Sequence, residues 1–155
     1  MDAKTREKIP QGSGSVLAQG WCALSVLHDT IEAHVEKALQ SQHGLSVREF
    51  SVLAALSEHE DSKMRMSQVS ESVVLSQSAT TRLVNRLEER GLLRRVLCPD
   101  DRRGIYTGLT EEGHRLLAEA HPTNDKALEE ILDEAETNPE LAPLVKALRT
   151  HRPGI

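Results

Sequence analysis

Apolar residues recur between residues 15 and 41 at spacings of three, four or their sum, which is the period of one face of an α-helix. The stripe consists of Leu17, Trp21, Leu24, Ile31, Val35 and Leu39. Gly44 follows the stripe and is a suitable C-terminal cap, because glycine adopts the left-handed backbone without a steric penalty. The pattern predicts one long amphipathic helix at the start of the folded chain.

A second helix is predicted from the stretch "LSVREF". Ser46 and Glu49 have the spacing of a capping box, and Leu45 and Phe50 have that of a hydrophobic staple. The inner face of this helix is narrow and comprises Phe50, Leu53, Ala54 and Ser57. We expect the charged run "EHEDSKMR" that follows to form a turn.

The stretch "MSQVSESVVLSQSATTRLVNRLEERG" predicts two further helices, the first capped by Ser67 and the second by Ser76. The second helix runs to Arg90 and stops at Gly91. Its inward positions are Ala79, Leu83, Val84 and Leu87, and its outward positions are Gln77, Ser78, Thr81, Arg82, Asn85 and Arg86. A short helix, a turn, and a second helix whose exposed first turns are small and polar are typical of a helix-turn-helix.

The rest of the chain predicts a hairpin and further helices. "LLRRVL" and "IYTGLT" are short and β-like, and the turn-forming "CPDDRRG" between them favours a two-stranded hairpin. Thr110 is placed to cap the next helix, which Pro122 is expected to kink or break. We expect Asn138 to cap a last helix with Pro139 at its first position.

Positive charge is concentrated in one part of an acidic chain. The net charge of the 155 residues is -5. Residues 76–110 hold seven arginines and four acids, which gives +3, so the remainder carries -5 minus +3, or -8. Clustered cations matter more for phosphate binding than the total charge does, so nucleic acid is the favoured partner.

Other classes of protein are disfavoured by what the sequence lacks. It has no apolar run of 18 residues and no secretory signal, so we expect a cytoplasmic protein without a membrane partner. Cys22 and Cys98 match no metal spacing, and no histidine pair has the i,i+4 spacing of a helical metal site, so no metal or cofactor is expected. No nucleophile motif such as GxSxG indicates an enzyme. We expect Cys22 to be buried and structural.

The residues "LSQSATTRLVNRLEERGLLRR" and "DDRRGIYTGLT" resemble the MarR family of winged-helix transcriptional regulators. The second stretch fits the family's wing pattern of D-x-R, five residues and L-T at Asp101, Arg103, Leu109 and Thr110. The resemblance covers about residues 15–150. It implies a mainly α fold with a small β-hairpin wing, after a flexible lead-in over residues 1–14. Within a single unit over 15–155, it implies dimerisation helices over 15–44 and 111–155 and a DNA-binding winged helix-turn-helix lobe over 45–110.

The resemblance also implies a function and its residues. It implies a homodimeric repressor that binds an inverted repeat in double-stranded DNA and responds to a small-molecule effector. Arg103 would enter the minor groove, and Asp101 would brace the wing. The whole candidate DNA-binding set is Ser67, Gln68, Ser76, Gln77, Ser78, Thr81, Arg82, Asn85, Arg86, Arg95, Asp101, Arg102 and Arg103. Trp21, His28 and Phe50 are candidates for an effector pocket, although a packed core or a dimer interface is the default interpretation of Trp21.

Three alternatives remain open at this stage. A winged helix can serve as a protein-interaction module, although such a module does not need arginines on both helix and wing. Cys22 lies where a redox-sensing branch of the family has its cysteine, but that branch also uses tyrosines beside the thiol. The sole tyrosine here is Tyr106, in the predicted wing. Zinc sensing through histidine and acidic residues is the third alternative.

Overall fold

The computed structural model describes residues 14–97 and 104–154. Within these residues the chain forms six α-helices and three β-strands. The helices are α1 (Val16–His43), α2 (Val47–Glu58), α3 (Met66–Val73), α4 (Gln77–Glu89), α5 (Glu111–Glu136) and α6 (Ala142–Thr150). The strands are β1 (Lys63–Arg65), β2 (Leu93–Leu97) and β3 (Ile105–Leu109). A mainly α fold with a small sheet confirms the predicted fold class.

The chain divides into two compact units. One, the terminal unit, comprises the described residues up to Val35 and from Lys126 onward. The other, the lobe, comprises Glu36–Asp125. The division runs through α1 and α5, so the end of α1 and the first half of α5 belong with the lobe.

The sheet of the lobe has three antiparallel strands in the order β1-β3-β2. Leu93 pairs with Leu109 and Leu97 with Ile105, which gives the hairpin that the sequence predicted. The predicted turn over "EHEDSKMR" is present at Glu60–Ser62 as a short 3-10 turn, but the end of the stretch forms β1, which the sequence did not predict. Lys63–Arg65 becomes a strand by pairing with β3, some forty residues further along the chain, and has no strand signal of its own.

Helix ends in the lobe follow local capping rules, with one difference from prediction. The capping box of α2 is confirmed, with Ser46 N donating to Glu49 Oε1 at 2.9 Å and Glu49 N to Ser46 Oγ at 3.0 Å. The N-cap of α3 is Arg65, so the prediction of Ser67 is wrong. Gln68 Oε1 accepts from Arg65 N at 2.9 Å, and this bond starts the helix two residues earlier.

The described residues of the lobe include a buried apolar core. Residues of α2, α3 and α4 with little or no exposed surface fill it, namely Val52, Leu53, Leu56, Val69, Leu83, Val84 and Leu87. Thr110 fixes the start of α5 against it, since Thr110 Oγ1 donates to Gly91 O at 2.6 Å and accepts from Gly113 N at 3.0 Å. The core therefore holds α4 from its inner side and leaves its outer side to solvent.

The terminal unit has its own small core of Ala23, Leu27, Ala135, Leu141 and Val145. Arg149 fastens α6 to α5 through Glu129 Oε2 at 2.8 Å and Asp133 Oδ1 at 2.6 Å. The bond to Glu129 is the main cause of the raised pKa of Arg149.

The predicted break at Pro122 is absent, since α5 runs without interruption from Glu111 to Glu136 with Pro122 inside it. The predicted start of the last helix is wrong. Helix α6 begins at Ala142 with Pro143 in its first turn, so Asn138 is not its N-cap. Asn138 instead closes a turn, in which its Oδ1 accepts from Glu140 N at 3.0 Å.

The first turns of α1 expose the start of the predicted apolar stripe. Trp21 is 70% exposed, and Leu17 is 84% exposed. Cys22 is exposed as well, so the prediction of a buried thiol is wrong. The same unit also exposes Val16, Leu24 and Leu148. Helical periodicity identifies an apolar face, but it does not say whether the chain itself covers that face.

Candidate nucleic-acid interface

Helix α4 is fixed at both of its ends. At its start, Ser76 Oγ accepts from Ala79 N at 3.2 Å. At its end, Gly91 has φ +74°, Gly91 N donates to Glu88 O at 2.9 Å and Leu92 N to Leu87 O at 3.0 Å. These last two bonds form a Schellman motif, which requires a left-handed residue after the helix.

The two sides of α4 differ sharply in burial. Its inner side is buried and comprises Thr80, Leu83, Val84 and Leu87. Its exposed residues include Gln77, Ser78, Thr81, Arg82 and Arg86. The predicted outward face is therefore on the surface, with short side chains in the first turn and arginines from Arg82 onward. Thr81 already bonds its own helix, with Oγ1 donating to Gln77 O at 2.9 Å.

Arg95 and Asn85 bind each other, although both were predicted to contact DNA. Arg95 Nη2 donates to Asn85 Oδ1 at 3.2 Å, and Arg95 Nε donates to Glu88 Oε2 at 3.3 Å. These contacts join β2 to α4. These bonds indicate that Arg95 and Asn85 hold the hairpin against the helix and are less available to contact DNA.

Arg65 and Tyr106 connect the hairpin to the start of α3, a link that the sequence did not predict. Arg65 Nε donates to Tyr106 OH at 2.9 Å, and the guanidinium carbon lies 5.4 Å from the centre of the ring. Gln68, a predicted DNA contact, uses its side-chain oxygen to cap Arg65. Only the sheet places residues 65 and 106 together, so sequence spacing carried no signal for them.

The tip of the hairpin, with Asp101, Arg102 and Arg103, lies outside the described residues. Its stem is described up to Leu97 and from Gly104. Leu97 and Ile105 form its last pair, and both side chains are exposed. The described stem belongs to the same sheet as Arg95, which braces α4.

The surface around α4 is positively charged. The described residues between 76 and 110 hold five arginines and two glutamates, which gives +3. Arg90 and Arg95 are engaged in ion pairs, whereas Arg82, Arg86 and Arg94 are exposed. Exposed guanidinium groups beside an open helix start can bind phosphates and base edges.

Two cavities lie against α4 on the lobe. The larger has a volume of about 540 Å³ and is lined by apolar residues and by arginines. Its lining residues are Arg48, Leu75, Ala79, Arg82, Leu83, Asn85 and Arg86. The smaller, of about 130 Å³, lies between α4 and the hairpin and is lined by Met66, Thr81, Glu88, Arg95, Ile105, Tyr106 and Thr107.

The three residues predicted for an effector pocket line neither cavity. Trp21 and His28 are exposed in the terminal unit, and His28 lies beside Asp29 and Glu32. Phe50 is buried in the lobe, where its ring packs edge to face on the ring of His121 with 5.2 Å between the ring centroids. In the described part of the chain, no helix has both the length and the apolar character needed to cross a membrane.

A helix-turn-helix followed by an antiparallel hairpin defines the winged-helix class of DNA-binding domains. A model of the MarR family matches residues 43–104. The transcriptional regulator MhqR of Bacillus subtilis (strain 168) is 31% identical over 109 residues, which cover 70% of this chain and 73% of that protein. The chain belongs to the MarR family of transcriptional regulators.

Two further similarities support this assignment. The transcriptional repressor MprA of Escherichia coli (strain K12) is 32% identical over 95 residues, which cover 61% of this chain and 53% of that protein. Sco3205 of Streptomyces coelicolor, a MarR family regulator solved in complex with DNA, superimposes with a TM-score of 0.71 and 26% identity over 83% of each chain.

Proposed function

We propose that the protein binds double-stranded DNA, with the outer side of α4 in the major groove and the hairpin at the adjacent minor groove. The observation that carries this proposal is the division of α4 into a buried side and an exposed side of short polar residues and arginines. Short side chains let a helix approach base edges closely, and arginines can bind guanine or phosphate. The solved complex of Sco3205 with DNA supports the same use of the fold.

The protein acts as a homodimeric repressor in this proposal. The exposed apolar surface of the terminal unit supports the dimer, because large exposed apolar side chains mark protein interfaces when they cluster. Two such lobes would read half-sites about one helical turn apart on an inverted repeat. Repression is supported by the similarity to MprA, and its test is increased transcription of the bound promoter when the protein is absent.

A small molecule modulates binding in this proposal. In this proposal the larger cavity beside α4 binds an apolar anion. Its leucine and alanine side chains favour apolar groups, and Arg48, Arg82 and Arg86 favour a negative charge. An occupant there would contact the helix that we place in the groove, so it would compete with DNA or shift the helix.

Titration against DNA tests the proposal, after footprinting of genomic fragments has given the operator. Arg82→Ala should weaken operator binding by about 1–3 kcal/mol and random DNA less, because a bidentate base contact is lost. Arg103→Ala should weaken binding more on DNA with A·T-rich flanks than on DNA with G·C-rich flanks, because the narrow minor groove of A·T-rich DNA attracts arginine.

Lys146→Ala, in the terminal unit, is the matched control and should bind as the wild type does. Equal losses on operator and random DNA for Arg82→Ala would contradict base recognition by α4.

A further inference from the structure

Three helix ends meet at one ion pair in the lobe. Arg90 follows α4, and its Nη1 donates to Gly44 O at 2.9 Å and to Glu49 Oε2 at 3.3 Å. Gly44 ends α1 in the left-handed conformation, with φ +63°. Glu49 lies in the first turn of α2. We name these contacts of Arg90 with Gly44 and Glu49 the Arg90 joint.

Glu49 is held by partners on both of its carboxylate oxygens. Oε1 accepts from Ser46 N at 2.9 Å in the capping box, and Oε2 faces Arg90. Glu49 is 8% exposed and, among the residues that the structure describes, is the only charged residue that is buried. A buried carboxylate is costly unless it is paired, so loss of Arg90 would leave a charge that favours rearrangement.

The Arg90 joint fixes α4 at the end opposite to its proposed contacts with DNA. The 13 residues of α4 span about 20 Å at 1.5 Å per residue. A rigid helix transmits a tilt at one end to the other, so the position of Arg90 governs where Gln77 and Arg82 lie. Arg90 is the C-cap of α4, where its N donates to Arg86 O at 3.1 Å, so its side chain links the last turn of the helix to Gly44 and Glu49.

We propose that Arg90 and Glu49 are positioning residues for DNA recognition, which set the orientation of α4 through the end of α1 and the start of α2. This inference rests on the proposed function. Neither residue contacts DNA in it. Glu49 acts through Arg90, and Arg90 acts through the helix that it ends.

Glu49→Gln is the sharpest test because geometry and electrostatics predict opposite results. A glutamine oxygen can still accept from Ser46 N, so the cap of α2 survives while the charge facing Arg90 is lost. Removal of a negative charge from the lobe should by itself strengthen DNA binding. The positioning role predicts weaker operator binding instead, by about tenfold, which lies within the range of coupling between residues in contact.

The salt dependence of binding separates positioning from direct contact. Arg90→Gln should also lose about tenfold in operator affinity, with an unchanged slope of log affinity against log salt concentration, since no phosphate contact is lost. Arg86→Gln, one turn earlier on α4 and exposed, is the matched control and should lower the slope by about one unit. Arg90→Lys should restore part of the affinity, because an ammonium group can reach only one of the two acceptors.

The full-length protein and these variants would be titrated against operator and random duplex at several salt concentrations, with the thermal midpoint recorded for each. The double variant Glu49→Gln, Arg90→Gln should lose no more than either single variant, because the two act through one contact. A folded Glu49→Gln protein that binds operator as tightly as the wild type, or more tightly, overturns the inference. So does a slope lowered by about one unit in Arg90→Gln. Wild-type protein that selects no DNA sequence overturns the proposed function instead, and this inference with it.

Discussion

The hydroxyl group of Thr107 is buried without a hydrogen-bond partner among the residues that the structure describes. Thr107 lies in the central strand β3, is 1% exposed and lines the smaller cavity beside α4. A buried donor that has lost its bonds to water destabilises the fold unless the protein replaces them.

Thr107→Val should therefore raise the free energy of unfolding by about 1 kcal/mol, because valine keeps the shape and removes the unpaired hydroxyl. Urea denaturation measures the change. Thr80→Val is the matched control, since Thr80 is equally buried but its Oγ1 donates to Ser76 O at 2.9 Å, and that variant should be less stable than the wild type. A loss of stability in Thr107→Val would show that the hydroxyl is bonded in solution, and would contradict the argument.

Sequence patterns predicted single residues well where the partner is local. The pair Ser46 and Glu49 lies three residues apart, and both of its bonds are in the structure. Arg95 was predicted as a DNA contact because nothing in the sequence shows that Asn85 and Glu88 lie within its reach. Arg90 was missed for the same reason, since Gly44 lies 46 residues before it.

The junction between α4, β2 and α5 depends on one glycine. A Cβ atom on Gly113 would lie 2.2 Å from the carbonyl oxygen of Leu92. The backbone of Leu92 cannot move aside as easily as a flexible side chain, because Thr110 bonds the same turn of α5 to the neighbouring Gly91. The close approach of α5 to the residues that follow α4 therefore requires glycine.

Gly113→Ala should lower the free energy of unfolding by about 3 kcal/mol, at the upper end of the usual cost of overpacking. This result would reverse the gain that alanine normally brings to a helix interior. The neighbouring His114→Ala, at an exposed position of the same turn, is the control and should change stability little. Calorimetric unfolding of both variants measures the difference, and equal midpoints for the two would show that α5 can move away from Leu92.

Elements with strong periodicity or local caps were predicted, and elements made by distant pairing were not. Helices α1, α2 and α4 and the hairpin have such signals. Strand β1 has three residues and becomes a strand only through β3, so its sequence was interpreted as a turn. Pro122 is predicted to kink or break α5, and the break is absent because tertiary packing of buried residues on both sides of it overrides local propensity.

Charge is distributed unevenly over the whole molecule. The described residues of the terminal unit carry eight acids and four lysines or arginines, which gives -4, whereas residues 76–110 carry +3. Polyanionic DNA would be repelled by the first and attracted by the second, so we expect DNA to approach residues 76–110. This asymmetry can be counted from the sequence alone, whereas the exposed apolar side chains of the terminal unit are identified only by the structure.

The apolar face of α1 is buried by the rest of the chain over only part of its length. Leu27 and Val35 are buried, whereas Leu17, Trp21 and Leu24 are exposed at the start of the same helix. Burial of such side chains in a second copy of the terminal unit would remove a large apolar area from water at about 25 cal/mol per Å². We expect two copies to associate through this stripe.

Leu17→Glu should therefore give a folded monomer, because Leu17 is 84% exposed and a charge there disrupts only the contact between copies. Ala33→Glu is the matched control. It is an exposed position about 160° around the same helix from Leu17 and should remain dimeric. Light scattering at micromolar concentration gives the mass of each variant, and helical circular dichroism checks the fold.

The two variants should also differ in DNA binding, because a dimer engages its second half-site as an intramolecular event. Leu17→Glu should lose about 100-fold or more in affinity for the full inverted repeat, while its affinity for an isolated half-site stays near that of the wild type. Ala33→Glu should bind both duplexes as the wild type does. If Leu17→Glu is monomeric yet binds the inverted repeat with full affinity, recognition does not need the dimer, and the proposed arrangement of two lobes on one operator is wrong.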